Sequence, residues 1–344
     1  MKHSILSLAV ICVASSTAVS ANDKMPTLYG QVSGNVTSFS DTDFRGDEAD
    51  TTPTIEKAIL GLKGVYPLAE GVLTAYRLEA DFAPLAEGDG SKSIYANSLT
   101  TDDDIFVRYA GAALITKYGL FAFGDAMSGV YEEFYAPVDI FEVNTQDSTP
   151  TGGTLGSRMW TQTKWSKDGL VYKTPVWNNF YAKYVIASID NNDGTEDDLQ
   201  ILHGVYKTEN FMFGVNLSVY DKDLHGPSSG IDDRERWVIA SHYKFGNWKV
   251  AGVYEANKNV GPLPGAGADF DVYALTTTYT QDKFRYALSY QDREEPSSGL
   301  LKKDTAVIGQ LKYTHDEHVD FWIEAGDYSE SDNDNIAVGF NVKY

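Results

Sequence analysis

From residue 27 onward the chain returns repeatedly to a strict alternation of apolar and polar residues, the period that gives a β-strand one apolar and one wet face. NIAVGFNVKY (335–344) sets Ile336, Val338, Phe340, Val342 and Tyr344 against Ala337, Gly339, Asn341 and Lys343. FMFGVNLSVY (211–220) sets Phe211, Phe213, Val215, Leu217 and Val219 against Met212, Gly214, Asn216 and Ser218. RWVIASHYKF (236–245) and KFRYALSYQ (283–291) repeat the scheme, with Trp237, Ile239, Tyr243 and Phe245, then Phe284, Tyr286, Leu288 and Tyr290, on the apolar side. The pattern predicts sixteen strands, near 27–39, 55–66, 72–83, 104–114, 118–125, 168–175, 180–188, 199–207, 211–220, 234–245, 248–257, 269–280, 283–292, 304–315, 318–328 and 335–344. The segment 199–207 fits least well, because His203 falls on its apolar parity.

The connections alternate as well. KTEN (207–210), FGN (245–247), QDK (281–283) and HDEH (315–318) are tight hairpin turns, whereas the intervening links are long and rich in Asp, Gly, Ser and Pro. The longest runs from about residue 126 to 167. Short turns at one end and long loops at the other belong to transmembrane β-barrels. The fold class expected is therefore all-β, an antiparallel transmembrane barrel of about sixteen strands in one domain, with the closing strand paired to the first. Closure leaves no unpaired sheet edge, which a bilayer requires.

If the apolar face meets lipid, the polar face is the interior. That face carries Arg77, Glu79, Lys183, Arg236, Arg285 and Lys312 among others, more charge than a packed core tolerates. A sixteen-stranded barrel is also too wide for side chains to fill, so water enters it. The long segment after the fifth strand, rich in aromatic and acidic residues, is expected to fold inward as a partial plug.

Charge and address sharpen the picture. MKHSILSLAVICVASSTAVSA reads as a secretory signal over 1–21, cleaved after Ala21, with an apolar run too short to span a bilayer. It contains the only cysteine, Cys12, so the exported chain of residues 22–344 is held together without disulfides. Setting aside Lys2, 27 basic residues face 49 acidic ones, a net charge of −22 that argues against a nucleic-acid partner. The sequence has no nucleophile elbow, no phosphate-binding loop and no clustered metal ligands, so neither an enzyme nor a cofactor is expected.

Several stretches resemble the Gram-negative general porins, the trimeric sixteen-stranded diffusion channels. They are TLYGQVSGNV (27–36), AILGLKGVY (58–66), YGLFAFGDAMSGVYEEFYAPVDIFE (118–142), DGLVYKTPVWNNFYAKYVIAS (168–188) and VGFNVKY (338–344). The resemblance implies a third loop folded into the lumen, its acids facing a basic ladder across a constriction. By position the acidic side is Glu132, Glu133, Asp139 and Glu142, and the basic side Lys57, Arg77, Arg108 and Lys173. It also implies a homotrimer, contact with outer-membrane lipid and lipopolysaccharide, and small hydrophilic solutes as cargo. Phe340 and Tyr344 would be read by the barrel-assembly machinery, although this chain ends in Tyr where the family most often ends in Phe.

Opposed charges across a narrow waist orient water and dipolar solutes and filter ions by sign. The acid excess predicts a mild cation preference, while the basic inner strand faces pull the other way. Two other readings stay open. Phe134, Tyr135, Phe141 and Trp160 would form a stacking track if the channel selected oligosaccharides. A soluble secreted lectin or polysaccharide-active protein would use the same alternation to build a sandwich core.

Overall fold

The structure, a computed structural model, describes residues 26–40, 51–83, 105–145, 159–162, 164–190, 196–220, 234–260, 268–294, 303–330 and 334–344. The signal segment and residues 146–158 of the long loop lie outside the described residues.

Sixteen antiparallel strands form one closed barrel, each bonded to its sequence neighbours and the last to the first. They are β1 (Thr27–Phe39), β2 (Thr51–Ala69), β3 (Val72–Asp81), β4 (Phe106–Thr116), β5 (Gly119–Met127), β6 (Trp165–Lys173), β7 (Phe180–Asp190), β8 (Glu196–Lys207), β9 (Phe211–Tyr220), β10 (Arg234–Phe245), β11 (Trp248–Val260), β12 (Ala268–Gln281), β13 (Phe284–Arg293), β14 (Asp304–Thr314), β15 (Val319–Tyr328) and β16 (Asn335–Lys343). At the seam, Gln31 stands opposite Lys343 and Val36 opposite Val338. This register keeps the alternating faces of β1 and β16 continuous around the ring.

The alternation divides outside from inside. Val32, Leu60, Leu78, Leu202, Phe213, Ile239, Leu288 and Val338 are exposed on the outer wall. Near the short turns the outer wall carries Tyr66, Tyr118, Trp177, Tyr243, Trp248 and Tyr344, and toward the long loops Trp237, Tyr254, Tyr273 and Tyr290. Amphipathic rings at two levels match the two interfaces of a bilayer.

β8 corrects one expectation. Leu202 and Tyr206 are its exposed apolar residues, whereas Ile201, His203 and Val205 point inward and are buried. The inward side is apolar here because it meets the long loop between β5 and β6, so both faces of β8 carry apolar residues and parity alone chose the wrong one. β4 departs from simple alternation too. A bulge opposite Glu79 and Ala80 inserts one extra residue, which lets the neighbours Arg108 and Tyr109 both serve the interior.

Candidate pore constriction

The long loop leaves β5 at Met127 and returns at Trp165. Its neck is tied by the Ser128 N–H to the Lys164 carbonyl (2.8 Å) and by the Gln162 amide to the Ser128 hydroxyl (3.0 Å). Beyond the neck a single wide helical turn, Tyr131–Tyr135, closes with the Ala136 N–H bonded to the Tyr131 carbonyl at 2.9 Å. Phe134 and Tyr135 are completely buried, and Val130, Tyr131, Val138, Phe141, Val143 and Trp160 nearly so. They pack on inward apolar residues of the wall, Val185, Ile201, Val205, Val238, Val253 and Ile308 among them. Gly214 on β9 makes room for this contact, since a Cβ there would come within 2.9 Å of the Phe134 ring. The aromatics considered for a sugar track are thus the adhesive between loop and wall, with their faces covered.

Polar anchors follow the same path. Glu133 meets Lys183 on β7 (2.5 Å), accepts the Tyr181 hydroxyl (2.9 Å), and lies 3.3 Å from Nε2 of His203. Tyr135 donates a short hydrogen bond to Glu255 on β11, which also accepts the N–H (2.9 Å) and hydroxyl (3.0 Å) of Thr161. Thr276 on β12 donates to the Val138 carbonyl (2.9 Å), and Arg285 on β13 to that of Ile140 (3.3 Å). Glu324 on β15 accepts the backbone N–H groups of Glu142 (2.8 Å), Val143 (3.1 Å) and Asn144 (2.7 Å). Buried charge of this kind is tolerated because donors meet it: Glu255 and Glu324 accept hydrogen bonds on both carboxylate oxygens, and Glu133 on one. The loop is therefore bonded to the wall from β7 round to β15.

The predicted constriction residues take different partners. Glu142 receives Lys312 of β14 at close range, and Lys57 of β2 stands 4.0 Å away on its other side. The side chains of Lys57, Glu142 and Lys312 keep 18%, 15% and 13% of their surface accessible to solvent. Burial alone would raise the Glu142 carboxyl, but the ammonium groups of Lys312 and Lys57 hold it down at about 2. Arg77 and Arg108 pair with acids of their own wall: Arg77 with Glu79 (2.6 Å), Arg108 with Glu79 (2.7 Å) and with Asp81 (3.3 Å). Arg77 also lies 3.6 Å above the Tyr109 ring.

Glu133 and Asp139 serve the loop itself. Asp139 accepts the hydroxyls of Tyr131 (2.5 Å) and Thr145 (3.0 Å) and is buried. Glu132 is partly buried and shares the space between loop and wall with Arg77, Tyr109, Lys173 and Lys183. Lys173 is buried with its ammonium 3.7 Å from the centre of the Tyr181 ring. Of the eight charged residues, the structure brings Lys57 and Glu142 together directly. Sequence reasoning missed Lys312 as their partner, together with the anchors Glu255 and Glu324. The only signal for these three was a charge at an inward parity, a property shared with many residues that touch nothing in the loop.

A closed barrel with an apolar outer wall, two aromatic girdles and a lumen narrowed by a charged inward loop is a membrane channel. The chain belongs to the Gram-negative porin family, whose model it matches over residues 7–344. It is thus a porin of the Gram-negative outer membrane, a channel and not an enzyme. No curated protein matches it in sequence. Among solved structures it is similar to Salmonella typhi OmpF in complex with daunomycin (TM-score 0.72, 15% identity, 95% of this chain and 99% of that one). It is also similar to an anion-selective porin from Comamonas acidovorans (0.68, 16%, 93% and 99%) and to the trimer form of OmpT from Vibrio cholerae (0.65, 15%, 93% and 99%).

Proposed function

We propose that the protein is a general diffusion channel for ions and small hydrophilic solutes whose waist lies between Glu142 and the β2–β4 wall. The observation that carries this reading is the water contact of Lys57, Glu142 and Lys312 beside a loop pinned to the other walls. Arg77 and Arg108 supply the basic side, while Glu133 and Asp139 are spent on holding the loop. Residues 1–21 act as the export signal, the working unit is a homotrimer, and Phe340 and Tyr344 belong to the segment read during assembly.

Ion preference is a contest between two ranges of charge. The acid excess of the whole chain attracts cations at the mouth when the Debye length is long, and fades as salt shortens it to about 3 Å at 1 M. The waist itself is nearly balanced, because each carboxylate named there has a cationic partner. The channel therefore prefers cations mildly at low salt and little at high salt. Reversal potentials of purified protein in planar bilayers under KCl gradients test this. Ohmic steps with a cation-directed potential that shrinks as salt rises support the reading; an anion-directed potential at low salt overturns the preference, and an absence of steps overturns the open channel.

A further inference from the structure

At the short-turn end of the lumen the inner wall carries a second group of charges with a different organisation. Lys207 ends β8, His242 and Lys244 lie near the end of β10, and Lys249 and Arg285 are the second residues of β11 and β13. Lys244 and Lys249 are directly opposed across the β10–β11 pair. Lys207 stands opposite Met212, which in turn stands opposite His242. The Lys249 ammonium is repelled by Lys244, Arg285 and Lys207, and the His242 ring feels Lys249, Lys207 and Lys244.

Deeper in the lumen, basic groups are matched: Lys183 by Glu133, Lys312 by Glu142, Arg77 by Glu79. Lys207, Lys244 and Lys249 form no ion pair among the described residues, and Nδ1 of His242 is buried without a hydrogen-bond partner. Like charges placed directly opposite one another in a sheet destabilise it. Lys207 feels the Glu132 carboxylate, but the directly opposed Lys244 and Lys249 have no ion pair among the described residues, and their repulsion is relieved by a mobile counter-ion. Cross-strand side chains begin about 5 Å apart, a spacing over which one phosphoryl group, or two joined through an oxygen, reaches both ammonium groups.

We infer that Lys207, Lys244 and Lys249, with His242 between them, form a binding shelf for multivalent oxyanions of the phosphate and polyphosphate class at the periplasmic end of the pore. Such solutes dwell there before crossing, so they obstruct the ion current from the periplasmic side. The inference rests on the channel reading above and adds a site to it.

The test uses full-length protein in planar bilayers at low KCl, with sodium tripolyphosphate added to one side at a time. Brief current blocks are expected from one side only. Lys244→Gln and Lys249→Gln, alone and together, should weaken the block about tenfold or more for each charge-assisted hydrogen bond removed, whereas Lys63→Gln, the same charge change as either single variant but on the β2 wall, should shift it less than about twofold. Equal block from both sides, no block in conducting pores, or equal weakening by Lys63→Gln overturns the shelf. An absence of conducting steps would instead overturn the channel reading. Phosphorus NMR of tripolyphosphate with detergent-purified protein then still decides: line broadening that disappears in the double variant supports the shelf, and unbroadened or variant-independent lines overturn it.

Discussion

The Glu324 carboxylate on β15 accepts both the backbone N–H (2.7 Å) and the side-chain amide (2.8 Å) of Asn144 in the inward loop. The same carboxylate takes the N–H groups of Glu142 and Val143, so one wall residue holds three consecutive loop amides. Glu324→Ala leaves them without an acceptor, at about 1–3 kcal/mol for each buried group. The loop beyond Ile140 should lift from the wall. Expected results are a lower unfolding temperature and a noisier open-channel current, with Glu324→Gln falling between alanine and wild type because one oxygen remains. A quiet, wild-type current in Glu324→Ala would show that the loop is held elsewhere.

Glu142 is the counter-charge that Lys57 and Lys312 share. Glu142→Gln leaves Lys57 and Lys312 without their shared counter-charge, so the reversal potential should move toward anions at low salt. Its pH dependence follows from the sign of the shift. The carboxyl is held at about 2 in the folded protein against an ordinary 4.5, so its charge and the stability of its ion pairs are complete above the ordinary value and are lost as pH falls toward 2. The Glu142-dependent part of selectivity, wild type minus Glu142→Gln, should be flat from about pH 8 to about pH 5. A titration of that difference centred in this interval would refute the pairing.

Gly214 and Phe134 test the apolar adhesion. A Cβ at Gly214 would approach the Phe134 ring to 2.9 Å, so Gly214→Val forces the helical turn of the loop off the wall. Overpacking of this kind costs about 1–3 kcal/mol. Phe134→Ala leaves a cavity in the same place and costs about 3–5 kcal/mol. Both variants should lower the temperature at which the protein loses its compact mobility on electrophoresis, and both should alter single-channel conductance. Unchanged conductance in both would place the aromatic cluster outside the control of the pore.

The barrel was legible because most strands obey one rule: the residue that meets lipid is apolar and its neighbour is not, as in Leu288 and Ser289 or Phe340 and Asn341. The rule fails where the inside is also apolar. His203, Ile201 and Val205 lie beneath the loop, so the parity of β8 pointed the wrong way. Local bulges escape a period of two, which is why Arg108 and Tyr109 share a destination. The order of residues along the loop made Glu142 a candidate, but whether an acid faces solvent or wall depends on a helical turn that adjacent residues such as Glu132 and Glu133 cannot reveal. Lys312 is separated from Glu142 by 170 positions, and no short-range pattern links them.

The seam offers the last test. Gly30 and Tyr344 exchange both backbone hydrogen bonds, Gly30 N–H to the Tyr344 carbonyl at 3.0 Å and Tyr344 N–H to the Gly30 carbonyl at 3.1 Å. The Tyr344 ring lies across Gly30 so closely that a Cβ there would stand 2.2 Å from it. Glycine is needed at this position for space, and the ring in turn covers the backbone of the first strand where the barrel closes. The phenolic hydroxyl makes no hydrogen bond among the described residues. Tyr344 thus closes the seam by covering the first strand and not through a hydrogen bond from its hydroxyl. Tyr344→Phe should therefore fold and resist heat like wild type, whereas Gly30→Val and Tyr344→Ser should each lower the temperature of the electrophoretic shift and the yield of folded barrel in refolding from urea. If Tyr344→Phe fell with the other two, the hydroxyl would have a partner in the membrane interface, and the seam would be sealed from outside the chain.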